Sequence, residues 1–375
     1  MTHIDINRLQ HQIQNNCDIS DAKYGGVYSL CGLLLRMRDL YKWQVGMQPW
    51  QEPEPTDLLE WVDAREKQWE EIAEDEFQIL VIGEDNFQPF AVDEINAVLR
   101  PLGYIYGAGY GAAMKPSFFL GELADSRRDG NLRIDMIDRE LARDLFVSPA
   151  MRQGDQILGR RSAMLFSLWD QILEMRPSIK EALTYALIQH NLDARKLRTC
   201  PKELGPALHR VAEVELESWI YHEIGEVREE VFDGYLWHEI VSTYANSPIE
   251  LFARVIKDLL ADTHEEGLLA HVIAERKKSS LGFYITFMRP FSKLMFPEAA
   301  EAFKRFQEDS NWQIIDKARL KGYANARRNA LALVELHLEG RKLGAESAKS
   351  QILSELIEPL GILTAIDDEE GEDQY

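Results

Sequence analysis

From Arg139 onward the chain spaces its apolar residues at helical period almost without a break, and this limits its fold more than any other feature. The spacing predicts helices over 138–146, 155–175, 178–190, 204–244, 248–278, 284–295, 297–308 and 312–342. Pro177, Pro248, Pro290 and Pro297 fall at breaks or early helical positions, where a missing N–H is tolerated. Helices with one apolar stripe each must pack on one another, so this half reads as a multi-helix, bundle-like core.

The first half is mixed. Residues 22–43 (AKYGGVYSLCGLLLRMRDLYKW) predict a mostly buried helix, ended by QPWQEPEP at 48–55. A second helix follows Thr56, where Leu58, Leu59, Trp61 and Val62 alternate with acids. Phe77–Gly83 (FQILVIG) predicts a strand. GYIYGAGYGAAMKP, 103–116, spaces its glycines G-x-G-x-G and meets Pro116 too soon for a dinucleotide loop, so a tight, aromatic-packed turn is expected. Between 117 and 137, Phe118–Leu120 and the alternation of Leu132, Ile134 and Met136 with Arg133 and Asp135 predict a hairpin. ADSRRDG forms its loop, with Arg127 and Arg128 at the tip. The fold class expected is mainly α, with a small antiparallel β-hairpin element in the N-terminal half. Three regions follow: 1–150 mixed helical and β-hairpin, 151–360 all-helical, and 361–375 a disordered acidic tail.

Charge narrows the partners. The 375 residues carry 42 Lys+Arg against 63 Asp+Glu, a net −21, while 45% hydrophobic residues supply an ordinary core. Six tail residues (Asp367, Asp368, Glu369, Glu370, Glu372, Asp373) account for only part of this excess. Nucleic acids and anionic lipid surfaces are therefore disfavoured, and a basic protein partner is favoured. Cys17, Cys31 and Cys200 form no close pair, as expected in a reducing compartment. The start lacks a basic segment leading into an apolar one, and the most apolar run, 25–35, is far too short to span a bilayer. A soluble, cytoplasmic protein is expected, and its oligomeric state is not legible.

The chemistry-bearing residues lie on the long helices. At about 100° per residue, Glu215, His222 and Glu226 run along one margin of the apolar sector of 205–244, beside Trp219 and Trp237. Glu223 and Glu230 lie further into that sector. On 248–278, Glu266 projects into the apolar face with Asp262 at its edge, while His264, His271 and Glu275 gather on the other margin. His337 continues the apolar row of the last long helix. Like charges buried together need a compensating cation. Carboxylate and imidazole ligands suit Fe, Mn or Zn, so Glu215, His222, Glu226, Glu266 and His271 form a candidate metal set, with His264, Glu275 and His337 behind them. The alternative is a solvated acidic face paired within its own helices, and His337 as a hydrogen-bonded core histidine. No G-x-S-x-G, G-x-x-x-x-G-K-[ST] or H-E-x-x-H motif is present.

Two resemblances add to this. The seven-residue spacing of Glu215 and His222 is similar to that of heme-oxygenase-like diiron proteins, although their late His-x-x-x-Asp-x-x-His is represented here by His337 alone. YGGVYSLCGLLLRMRDLYKW (24–43), YGAGYGAAMKPSFFL (106–120), IYHEIGE (220–226), VIKDLLADT (255–263) and LMFPEAAEAF (294–303) together resemble an uncharacterised, mainly proteobacterial family, which implies no reaction or cofactor. Two functions thus stand as expectations. One is an interaction or regulatory protein whose acidic helical faces dock a basic partner. The other is a metal-dependent helical-bundle enzyme.

Overall fold

The computed structural model describes residues 4–361 and divides into two compact units. Unit 1 takes residues up to Trp169 together with Pro201–Ala212, and unit 2 takes Asp170–Cys200 and the described residues from Glu213 onward.

Unit 1 begins with α1 (Ile6–Tyr24), α2 (Leu30–Gln44) and α3 (Pro55–Ile72), followed by the short antiparallel pair β1 (Leu80–Ile82) and β2 (Asp85–Phe87), and by α4 (Val92–Leu99). A five-stranded sheet comes next: β3 (Tyr104–Tyr110), β4 (Pro116–Asp129), β5 (Leu132–Arg143), β6 (Ala150–Gln153) and β7 (Gln156–Arg160). Its order is β3-β4-β5-β7-β6, with β5 and β7 parallel and the other neighbours antiparallel. α1 buries Leu9, Ile13 and Cys17 against Phe118, Leu120 and Ala142 of the sheet. Its Gln12 and Asn16 side chains, one turn apart, bond the backbone of Val81 and Gln78 and so satisfy groups that no strand pairs there.

The buried ionic groups of this unit include two clusters. Lys115 Nζ sits 3.0 Å from Asp21 and 3.4 Å from Asp144. Glu140 pairs with Arg160 and lies 3.6 Å from Arg143. The two guanidinium groups stack over rings, Arg160 on Phe119 and Arg143 on Trp43 and Phe166.

The sheet corrects the expected fold class. The hairpin is two strands of a five-stranded mixed sheet, and the region from 151 onward is not all-helical, because β6 and β7 reach Arg160. The expected helix at 138–146 is the end of β5, and residues 156–160 of the expected helix at 155–175 are β7. Short apolar runs such as Ile157-Leu158 carry no period that separates strand from helix. Arg127 and Arg128 pair with Ile134 and Arg133 within the ladder, so ADSRRD is strand and the turn is Gly130-Asn131. The glycine run is β3 itself. Gly107 lies opposite Phe119, whose ring would meet an added Cβ at 2.1 Å. Residues 22–43 do not form one helix: Gly25–Val27 is a short 3-10 turn, Ser29 caps α2, and the first turns of α2 are exposed rather than buried.

After α5 (Arg161–Glu174), unit 2 contains α6 (Lys180–Gln189), α7 (Ala194–Thr199), the larger part of α8 (Pro201–Arg228), α9 (Gly234–Thr243), α10 (Pro248–Thr263), α11 (Leu268–Ala274), α12 (Lys278–Phe287), α13 (Pro290–Met295), α14 (Pro297–Asp309), α15 (Trp312–Leu343) and α16 (Ala345–Ile352). One apolar cluster, including Phe252, Val272, Leu281, Phe296, Phe306 and Leu333, joins α6 with α9 to α16. The expected helix 204–244 breaks after Arg228 and restarts where Asp233 caps α9, and 248–278 breaks at His264–Gly267. Apart from Gly361, the expected acidic tail 361–375 lies outside the described residues.

Candidate functional site

In unit 2, α8 and α10 approach each other backbone to backbone. A Cβ on Gly225 would lie 2.2 Å from the Ala261 carbonyl oxygen, and one on Gly267 would lie 2.0 Å from the same atom. This contact fixes the register of the two helices. His222, one turn before Gly225, then meets Asp262, the residue after Ala261, with Nδ1 2.7 Å from Oδ1. Glu226 forms an ion pair with Lys257, whose ammonium also lies 4.9 Å from the centre of the Trp237 ring. His222, Glu223 and Glu226 each offer a ligand atom, and these atoms lie within 4.8 Å of one another.

The cluster supplies much of its own positive charge. Burial alone would pull His222 down, but Asp262 first, then Glu223 and Asp258, outweigh it and push the imidazole up to about 9. Burial lifts the Tyr284 phenol well above its ordinary value, and the Asp262 charge adds to that. At neutral pH the His222–Asp262 contact therefore holds a proton, and Lys257 supplies a second cation beside Glu226.

The other predicted ligands are placed elsewhere. Glu215 is buried with His190 Nε2 3.0 Å from its Oε1. Glu266 is half-exposed and pairs with Arg228 at 3.1 Å. His271 stacks on Tyr221 with ring centres 3.7 Å apart and lies 3.0 Å from Lys277 Nζ. His264 Nδ1 accepts from the Glu266 N–H, Glu275 closes α11, and buried His337 meets the Tyr244 hydroxyl at 3.2 Å. His222, Glu223 and Glu226 are thus the part of the stripe brought together, with Asp262 as orienting partner. Lys257 and Tyr284 went unrecognised in the sequence, where only the α8–α10 register could reveal them.

In unit 1 one dense run of acids lies on the surface. Glu52, Glu54, Asp57, Glu60, Asp63, Glu66, Glu70, Glu71, Glu74, Asp75 and Glu76 are all exposed, on α3 and its flanks. The same stretch holds two cations, so eleven carboxylates leave it at −9 of the chain's −21. Arg65 is buried on Asp18 at 2.8 Å, and Lys67 is bound to Asp63 at 2.6 Å. The signal for this face was legible as a stretch of 25 residues with only Arg65 and Lys67 against its acids.

Fold and sites together define a mainly helical protein of two units, one carrying a mixed sheet and an acidic helix, the other a half-buried His–carboxylate cluster. The chain belongs to the DUF6866 family: residues 8–160 match its N-terminal domain and 165–356 its C-terminal domain, both described as a family of unknown function. No curated protein and no solved structure matches it. Among the described residues no helix is long and apolar enough to cross a membrane.

Proposed function

We propose that the protein is an interaction module of the bacterial cytoplasm that docks a basic protein partner on α3. The observation that carries this reading is the eleven exposed carboxylates of 52–76, whose two neighbouring cations are already engaged. A surface with this excess of one sign attracts an oppositely charged partner over the Debye length, raises its on-rate, and repels polyanions such as nucleic acid. Within unit 2, Glu215, Glu226, Glu266 and Asp262 each have a cationic or imidazole partner. The test is affinity capture with wild type and with an Asp57→Asn/Glu60→Gln/Glu66→Gln/Glu70→Gln variant, at low and moderate salt. A basic protein retained by wild type, and lost from the variant or with salt, supports the reading. Identical captured sets from both proteins refute it.

A second reading is favoured by the proximity of His222, Glu223 and Glu226. In it these three hold Fe, Mn or Zn, and Asp262 orients the imidazole by its hydrogen bond to the other ring nitrogen. Such a metal must displace the His222 proton and the Lys257 ammonium. Plasma mass spectrometry on protein purified without added metal, alongside His222→Ala, decides it: near-stoichiometric metal lost in the variant supports a site, and metal unaffected by the variant refutes it.

A further inference from the structure

Beside the acidic helix lies an apolar surface that the fold leaves uncovered. At the start of α2, Leu30 is 74% exposed, Leu34 47% and Leu35 42%, and Val27 just before them is 39% exposed. Leu30 and Leu34 are one turn apart and share a face. A group of exposed apolar side chains on neighbouring turns of one helix is a candidate contact surface.

The end of α3 brings acids toward this face, and Lys23 at the end of α1 lies 5.9 Å from the Phe77 ring centre just beyond them. α2 and α3 pack antiparallel: the Gln44 side-chain oxygen accepts from Trp61 and Arg65, and Leu33 and Ile72 join one apolar cluster. The end of α3 carrying Glu66, Glu70 and Glu71, with Glu74–Glu76 beyond it, therefore comes to the α2 end carrying the leucines. The cations of α2 do not offset these acids. Arg36 bonds the Leu145 carbonyl and lies over Tyr28, Arg38 pairs with Asp39, and Lys42 is buried on the Pro49 carbonyl and Glu52.

We infer that this surface receives an amphipathic basic helix of a partner protein, its apolar stripe on Leu30 and Leu34 and its lysines or arginines against the carboxylates at the end of α3. Apolar anchors give such a contact its lifetime, and the charged rim sets its rate and register. The inference rests on the docking reading above and adds to it the secondary structure and patterning of the partner.

The experiment uses the full chain and two labelled 18-residue Lys/Leu peptides of one composition, followed by fluorescence anisotropy. One places leucines at i, i+3, i+4 and i+7; its isomer spreads them around the wheel. The amphipathic peptide is expected to bind at least tenfold more tightly, and Leu30→Ser/Leu34→Ser is expected to erase that difference. Equal binding of both peptides, weakened by the α3 neutralisation, overturns the helix-groove inference and leaves the acidic docking reading intact. Binding of neither peptide, or binding indifferent to α3, overturns both. A wild-type dimer that the leucine variant dissociates in sedimentation makes a second copy the occupant and overturns it also. So does flotation of wild type, but not the variant, with phosphatidylcholine vesicles, which makes a lipid surface the occupant.

Discussion

The His222–Asp262 contact gives unit 2 a pH-dependent stability with a definite sign. The folded-state imidazole titrates at about 9, against 6.5 for the ordinary group. A raised folded value means that the stabilisation is fully present below pH 6.5 and is lost as pH rises through about 9. At 1.36 kcal/mol per unit the full excursion is about 3 kcal/mol, an upper figure that partial exposure of the pair reduces. Asp262→Asn removes the largest charge holding the proton, so His222 should fall toward its ordinary value and the slope across this window should flatten. Two measurements check this: the His222 ring-proton resonance in histidine-labelled protein, assigned with His222→Gln, and denaturant midpoints of wild type and Asp262→Asn between about pH 6 and 10. The wild-type minus variant difference isolates this pair from other groups, such as Asp21, which burial raises to about 7. An imidazole titrating near 6.5 in wild type, or a difference that stays flat with pH, would refute the argument.

Three further substitutions test the packing. Gly225→Ala places a methyl against the Ala261 carbonyl, and a denaturant-midpoint loss of about 1–3 kcal/mol is expected from overpacking; an unchanged midpoint would mean that α8 and α10 do not touch there. Glu140→Gln leaves Arg160 and Arg143 buried without their shared carboxylate, a loss of about 3–5 kcal/mol in the same assay, and a neutral result would contradict the buried triad. Lys115→Met strands Asp21 and Asp144 beside each other, so its penalty should be larger at pH 8 than at pH 5, where protonation of Asp21, raised by burial to about 7, relieves the pair. Equal penalties at both pH values would place the lysine outside that pair.

Helical period made the second half legible because α10, α14 and their neighbours carry one-sided apolar stripes that only packing can bury. The sheet was harder. Leu132, Ile134 and Met136 show period two, but β6 and β7 are four- and five-residue strands whose apolar content suits either structure. Helix ends were missed where local contacts override period, as at His264–Gly267, where Gly267 packs on the Ala261 backbone. At the candidate site, the wheel found His222 and Glu226 but could not assign their partners. Azimuth says which face a side chain occupies and nothing about the register between two helices. It also grouped Glu215 with His222, although Glu215 turns to His190 and His222 to Asp262. Glu266 and His271 went astray for another reason, since both lie beyond the break that ends α10. The acidic face of α3 needed no geometry, only a local charge count.

The account rests most heavily on α3 as the docking face, and hydrogen exchange reads that directly. Full-length protein is compared alone and saturated with the basic partner recovered by affinity capture. Added protection centred on residues 52–76 and the start of α2, vanishing in the four-site α3 variant, is the predicted result. Protection confined to 219–230 and 254–266, with α3 unchanged, would contradict the account and move the functional surface to the His222 cluster.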